Sequence, residues 1–165
     1  MAGSVNHTGR VELQWDLAAI QRNQLNLESA FNMTLALSAT ALLPACWSLS
    51  FNAAGFAYVH RATFSTDTAI AWTAYFAFGA TALAGIAATK LGVSSLASNY
   101  NPQAAVAAAP AVSAALIGGY AAAGSITEII ARFPVMLPFQ HSLVIATTAV
   151  AANCSASIWW VEYSD

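Results

Sequence analysis

The sequence predicts an all-α integral membrane protein with four transmembrane helices preceded by an amphipathic N-terminal helix. Of its 165 residues, 58% are hydrophobic and only 7% are charged, whereas soluble domains average about 25% charged residues. Four stretches with almost no charge lie at about 33–59, 68–89, 104–131 and 135–161. Each is long enough for the roughly 20 apolar residues that one helical crossing needs. We therefore expect a single membrane domain over 10–165, after a flexible tail at 1–9.

The segment 10–31 is the predicted amphipathic helix. Its apolar residues from Leu17 onward, including Ile20, Leu27 and Phe31, follow helical spacing, while Glu12, Gln14 and Glu28 are among the polar residues between them. The segment is too polar to span a bilayer. It could lie in the membrane interface or dock on a neighbouring protein, and the lack of a Lys-rich face favours docking.

The first two predicted spans have recognisable ends. Pro44 should kink the first span, which ends near His60 and Arg61. The second span begins after Asp67, in a sequence suited to a helix N-cap, and it ends at Lys90. The loop at 92–103 has the composition of a turn.

Small residues four apart mark the second and third spans. In lipid, such spacing lets two helix backbones approach closely, so we expect helix packing through a set of small residues: Gly79, Gly85, Ala115, Gly118, Gly119 and Gly124. Glu128 and Arg132 are also four apart and predict an ion pair on one helix face.

The fourth span is predicted to follow a bend made by Pro134 and Pro138. It ends in Trp159, Trp160 and Tyr163, which are typical of an interfacial aromatic belt. Four crossings place both termini on one side of the membrane.

The same topology brings several ionisable residues to the face opposite the termini. His60 and His141 come from different helices there, with Arg61 and Arg132 nearby. Two histidines can ligate a heme, and arginines can pair with its propionates. Heme or chlorophyll is therefore a possible cofactor, although polar residues are also common at an interface for solvation alone.

Other kinds of site find little support. No nucleotide-binding glycine motif or nucleophile elbow occurs, so no catalytic residues are assigned and the protein is expected not to be an enzyme. Cys46 and Cys154 have no metal-binding spacing, and no metal site is predicted. Five scattered basic residues and a net charge of −2 argue against nucleic acid as a partner.

A short stretch resembles a known family. Residues 19–28 contain Arg22, Asn26 and Glu28, which are similar to the Arg-x-x-x-Asn-x-x-Glu signature of the MAPEG family of membrane glutathione-dependent enzymes. Glu28 arrives one position early, and that family has a full membrane helix ahead of the motif, which this chain lacks. The resemblance implies a small glutathione-transferase-like enzyme as one hypothesis.

The leading hypothesis is an accessory subunit of a large energy-converting membrane complex, respiratory or photosynthetic. Its spans lack buried acids, which argues against proton or carboxylate-coupled transport. The alternatives are a heme- or chlorophyll-binding electron-transfer or antenna protein and the glutathione-transferase-like enzyme. Expected partners are other membrane subunits and bound lipids, in a mitochondrial inner membrane, a thylakoid or a bacterial inner membrane.

Overall fold

A computed structural model of the chain describes residues 30–51, 56–91, 98, 100–130, 134–137 and 140–163. These residues form strands, turns and irregular connections, and none of them is helical. Within these ranges, no helix is long and apolar enough to cross a membrane. The predicted all-α fold with four transmembrane helices is therefore wrong, and so is the helical membrane subunit that was inferred from it.

Eleven strands in the described part of the chain take the place of the predicted helices. In chain order they are β1 (Ala30–Ala39), β2 (Ala45–Phe51), β3 (Phe56–Thr66), β4 (Ile70–Phe78), β5 (Thr89–Lys90), β6 (Tyr100–Val106), β7 (Ala114–Ala121), β8 (Ile126–Ile130), β9 (Val135–Met136), β10 (His141–Thr147) and β11 (Ala152–Tyr163). The four apolar stretches thus hold several strands each, separated by turns.

The strands form two antiparallel sheets. The first has the order β5-β1-β11-β3-β8, with β9 also paired to β3, and the second has the order β6-β2-β10-β4-β7. Strands β1 to β4 alternate between the two sheets, as do β7, β8, β10 and β11, and β6 pairs with β2 at the other end of the second sheet. Strands β11 and β10 return to the middle of the first and second sheet, respectively. The topology of a double-sheet jelly roll is formed by eight of the strands, in the orders β1-β11-β3-β8 and β2-β10-β4-β7.

The core between the sheets follows from period-two alternation along the strands. In β1 the side chains of Phe31 and Met33 point inward and are buried. The next residue, Thr34, points to the outer face and is exposed. Aromatic pairs fill the centre: Phe31 stacks on Trp160 with ring centres 5.7 Å apart, and Trp47 meets Phe64 edge to face at 5.9 Å. The inner faces of both sheets share this core.

The second sheet is buried on both faces along β10. Ser142 to Thr147 are all buried, so residues on the two faces of this strand are covered alike. Val144 belongs to a second apolar cluster with Cys46, Tyr75 and Leu83. Leu83 comes from the connection after β4, which lies over the outer face of the sheet.

This double burial explains why a helical span was predicted. A strand that is buried on both faces reads as a continuous apolar run, and such a run cannot be told from a buried helix by composition. Alanine added to the error because it is counted as a hydrophobic residue, yet it also occupies outward positions of the strands. Ala36, for example, is exposed.

Other predicted features fall in turns or outside the described residues. Pro44 lies between β1 and β2, where its carbonyl oxygen accepts a bond from the amide of Ala107 at 3.2 Å. The predicted loop 92–103 is overlapped by β6, which begins at Tyr100. The tail 1–9 and most of the amphipathic segment 10–31, with the residues resembling the MAPEG signature, lie outside the described residues.

Candidate functional site

The two histidines of the predicted cofactor site stand on strands of different sheets. His60 is half-buried on β3 of the first sheet, and burial lowers its pKa. His141 opens β10 of the second sheet and meets the ring of Phe78 edge-on at 5.4 Å. Among the described residues, no group of three or more His, Cys, Asp or Glu side chains could hold a metal ion. Heme or chlorophyll binding stays a prediction.

Arg61 has well-defined neighbours. Its Nη2 donates to Oε1 of Glu128 at 2.8 Å, and its guanidinium lies 5.3 Å from the ring centre of Trp159. Glu128, which was expected to pair with Arg132, therefore bonds an arginine on a neighbouring strand. Arg132 itself lies outside the described residues.

The small residues that were expected to pack helices lie in strands and turns. Gly79 and Gly124 have positive φ angles of 74° and 72°, which glycine adopts without steric cost. Gly85 forms an isolated bridge with Gln103. Ala115, Gly118 and Gly119 belong to β7, where the two glycines pair with Thr73 and Trp72 of β4.

One side of the sandwich carries an unusual concentration of exposed apolar side chains. In β7, every residue from Ala114 to Tyr120 is exposed, although a strand of a two-layer sandwich normally buries one face. We call this surface the apolar edge. It consists of Val112, Leu116, Ile117, Tyr120 and Ile126, and the exposed fractions of Tyr120 and Ile126 are 70% and 74%.

The apolar edge also has an open strand. β7 is the last strand of the second sheet and β8 is an end strand of the first, within the part of the chain that is described. A turn at 122–125 joins them, closed by a bond from the Ser125 amide to the Ala122 oxygen at 3.1 Å. From Leu91 to Thr127 the sequence has no charged residue. The charges and prolines that usually protect an edge strand are therefore absent from β7.

The outer face of the first sheet has the opposite character. The strand register places its outward side chains in four rows: Asn32, Trp159 and Arg61; Thr34, Ser157, Thr63 and Glu128; Ala36, Ser155, Ser65 and Ile126; Ser38, Asn153 and Asp67. We call this surface the polar face. Strands are about 4.8 Å apart and alternate residues about 6.6 Å apart, so it spans roughly 20 Å along β11.

Hydrogen bonds fix one end of the polar face. The backbone amide of Asn153 donates to Oδ1 of Asp67 at 2.9 Å, and the side-chain nitrogen of Asn153 donates to Oδ2 of Asp67 at 2.6 Å. These bonds lower the pKa of Asp67. Ser38 donates to the side-chain oxygen of Asn153 at 2.7 Å. These bonds join β1, β11 and the turn after β3 through side chains that stay accessible to solvent.

Trp159 marks the other end of the polar face. Its ring is half-buried, contacts Arg61, and lines a shallow hollow of about 340 Å³ together with His60 and Leu91. The preceding and following residues of β11, Ile158 and Trp160, point into the core. The aromatic pair that suggested a membrane belt is thus divided between the surface and the interior.

The apolar edge and the polar face are the two surfaces whose composition needs an explanation. No family model, curated protein or solved structure matches this chain. Three of the predicted site residues lie at these surfaces: Arg61 on the polar face, and Gly118 and Gly119 in β7. Their predicted roles were cofactor binding and helix packing, and the two surfaces themselves were not predicted. Alternation of Asn153, Ser155 and Ser157 with buried residues was the signal that could have identified the polar face.

Proposed function

We propose that this protein is a structural subunit that assembles with copies of itself through the apolar edge. The observation that carries the proposal is β7, an end strand with apolar side chains exposed on both faces and no charge along it. Exposed edge strands of this kind pair readily with other strands, and contiguous exposed apolar patches mark interaction sites.

A second copy of the chain fits this edge for a structural reason. Antiparallel pairing of β7 with the same strand of another copy is a two-fold symmetric contact, which is the commonest symmetry of homo-oligomers. Each copy contributes an uncharged edge, so the contact creates no like-charge repulsion. The two five-stranded second sheets would then continue into one sheet across the two-fold axis.

The energetics agree with a stable contact. Full burial of one Leu, Ile or Val side chain contributes about 1.5–3 kcal/mol. The apolar edge holds five large side chains, and each copy buries its own set. Association costs on the order of 4–15 kcal/mol in lost translational and rotational freedom. Burial of both sets, together with new backbone hydrogen bonds, is of the size needed to offset this cost.

Sedimentation velocity of the full chain tests the proposal. The chain has a mass of 17.1 kDa, and we expect a species of at least about twice that mass at micromolar concentration. Ile117 lies at the middle of β7, so an Ile117→Lys substitution places two like charges beside the two-fold axis. This variant should sediment as a folded monomer.

A matched control separates a specific interface from general stickiness. Leu42 is 88% exposed in the turn between β1 and β2, and Leu42→Lys should leave the assembly intact. A wild-type chain that is monomeric at these concentrations would overturn the proposal. Equal masses for wild type and Ile117→Lys would overturn it too.

A further inference from the structure

We infer that the polar face is a binding site for neutral oligosaccharides, centred on Trp159 and Arg61. This inference goes beyond self-assembly, because the polar face and the apolar edge share only Ile126, which lies two rows away from Trp159 and Arg61. It depends on the register of β1, β11 and β3, which brings side chains from distant parts of the sequence into one flat array.

The chemistry of the array suits a sugar chain. A sugar ring has apolar C–H groups on its faces and hydroxyl groups around its rim, so its site needs a flat aromatic surface beside donors and acceptors. Trp159 provides an amphipathic ring next to a hollow of about 340 Å³. The Arg61 guanidinium has only hydrogen-bond donors and the Glu128 carboxylate has only acceptors. Nη2 of Arg61 lies 2.8 Å from Oε1 of Glu128.

Preorganisation supports binding at this end of the face. The guanidinium of Arg61 is fixed between the Glu128 carboxylate and the Trp159 ring, so less side-chain freedom is lost when a ligand binds. The rows beyond it carry hydroxyl groups, among them Thr34 and Ser157, whose oxygens are 2.7 Å apart. A chain of several sugar rings could therefore extend along β11.

The charges of the polar face argue against an anionic ligand. Its rows contain one cation, Arg61, and two carboxylates, Glu128 and Asp67. Arg61 is already paired, and a polyanion such as nucleic acid or a sulfated glycan needs several free cations to neutralise its charges. A neutral glycan has no such requirement.

Amide NMR of the full chain, titrated with cellohexaose, chitohexaose, maltohexaose and a heparin hexasaccharide, tests the inference. We expect at least one neutral probe to shift signals from β3 and β11 in a saturable way. Trp159→Ala should weaken that binding about tenfold, the loss of one aromatic stacking contact, and Trp159→Phe should restore part of it. Arg61→Met is the second variant, since it keeps an apolar stem and should also weaken binding.

Two controls keep the result specific. Ile117→Lys disrupts the apolar edge and should leave glycan affinity unchanged, so failure of the assembly proposal and failure of this one give different results. The inference is overturned if no neutral probe shifts β3 and β11 signals at millimolar concentration, if only heparin hexasaccharide binds, or if folded Trp159→Ala and Arg61→Met bind as tightly as wild type.

Discussion

Gly119 lies directly against the indole ring of Trp72. The two residues are paired across β7 and β4, and a Cβ atom at position 119 would meet Cζ2 of the Trp72 ring at 2.9 Å. Trp72 is buried in the core, so its ring has little room to move. The glycine therefore lets a large aromatic side chain extend under the end strand of the second sheet.

The first prediction concerns this contact. Gly119→Ala should lower the free energy of unfolding by about 1–3 kcal/mol, the usual cost of overpacking a core, and chemical denaturation will measure it. Gly85→Ala is the matched control, because a Cβ there meets nothing within 4 Å, and its effect should stay within about 0.5 kcal/mol. Equal stability of the two variants would contradict the packing argument.

The second prediction concerns acid stability at Asp67. Hydrogen bonds from the side chain and the backbone of Asn153 lower the pKa of Asp67 below its ordinary value of 3.8. A pKa that is lower in the folded state adds stability above the unfolded value, and this stability is lost as the pH falls through the folded pKa. Asn153→Ala should therefore destabilise the protein more near neutral pH than at a pH of about 2.

Urea denaturation at both pH values measures that difference. Asn101→Ala is the control, since Asn101 is exposed on β6, and its effect should not change with pH. If Asn153→Ala destabilised the protein equally at both pH values, the bonds to the Asp67 carboxylate would have no part in its acid stability.

The third prediction concerns the buried carboxylate of Glu162, which is only 5% exposed. It accepts a hydrogen bond from Nε1 of Trp160 at 2.8 Å and another from the hydroxyl of Ser98. Glu162→Ala leaves the buried Trp160 N–H without this acceptor, at a cost on the order of 1–3 kcal/mol, whereas the Ser98 hydroxyl can still donate to the carbonyl oxygen of Tyr100 at 2.7 Å. Thermal and urea denaturation should both show the loss.

Glu128→Ala provides the comparison for Glu162. The Glu128 side chain is 49% exposed and that of its partner Arg61 is 53% exposed, and surface ion pairs of this kind contribute about 0–1 kcal/mol. We expect a much smaller loss of stability than for Glu162→Ala. A loss of the same size in both variants would show that burial of the carboxylate is not what matters.

The fourth prediction concerns the reactivity of the thiols. Cys46 and Cys154 are both free and buried, and burial raises the pKa of Cys46 to about 11. Burial also raises the pKa of Cys154. Because the thiolate is the reactive form, neither residue should react with a thiol reagent such as DTNB at neutral pH in the folded protein, and both should react in denaturant.

Ser155→Cys is the positive control for that measurement. Position 155 follows Cys154 directly but points to the polar face and is half-buried. The folded variant should therefore react at one position more than wild type. Rapid labelling of folded wild type would show that the core around Cys46 or Cys154 opens readily.

The two strands of the first sheet that carry the clearest alternation could have been predicted from sequence. In β1, buried Phe31 and Met33 alternate with Asn32 and Thr34, and β11 repeats the pattern from Asn153 onward. Averaged over a window of 20 residues, such alternation has the hydropathy of a membrane span. The period of two was the better signal, and the average concealed it.

The rest of the fold and of the surfaces depends on long-range pairing. Thr34 and Ser157 touch across 123 positions of sequence, and no local pattern states which strands will be neighbours. Arg61 could be selected as a rare charge, but its partners Glu128 and Trp159 follow only from register. The exposure of β7 could not be predicted from sequence either, because an apolar strand at an uncovered sheet edge and one in a core have the same composition.

The middle positions of β10 and β11 have a consequence for how the chain reaches its native state. They are the last two described strands, yet β11 separates β1 from β3 and β10 separates β2 from β4. While the chain is being synthesised, the earlier strands therefore wait for their neighbours with apolar faces uncovered. Such non-local closure is slow, and the nascent protein should depend on protection from aggregation until residue 163 has left the ribosome.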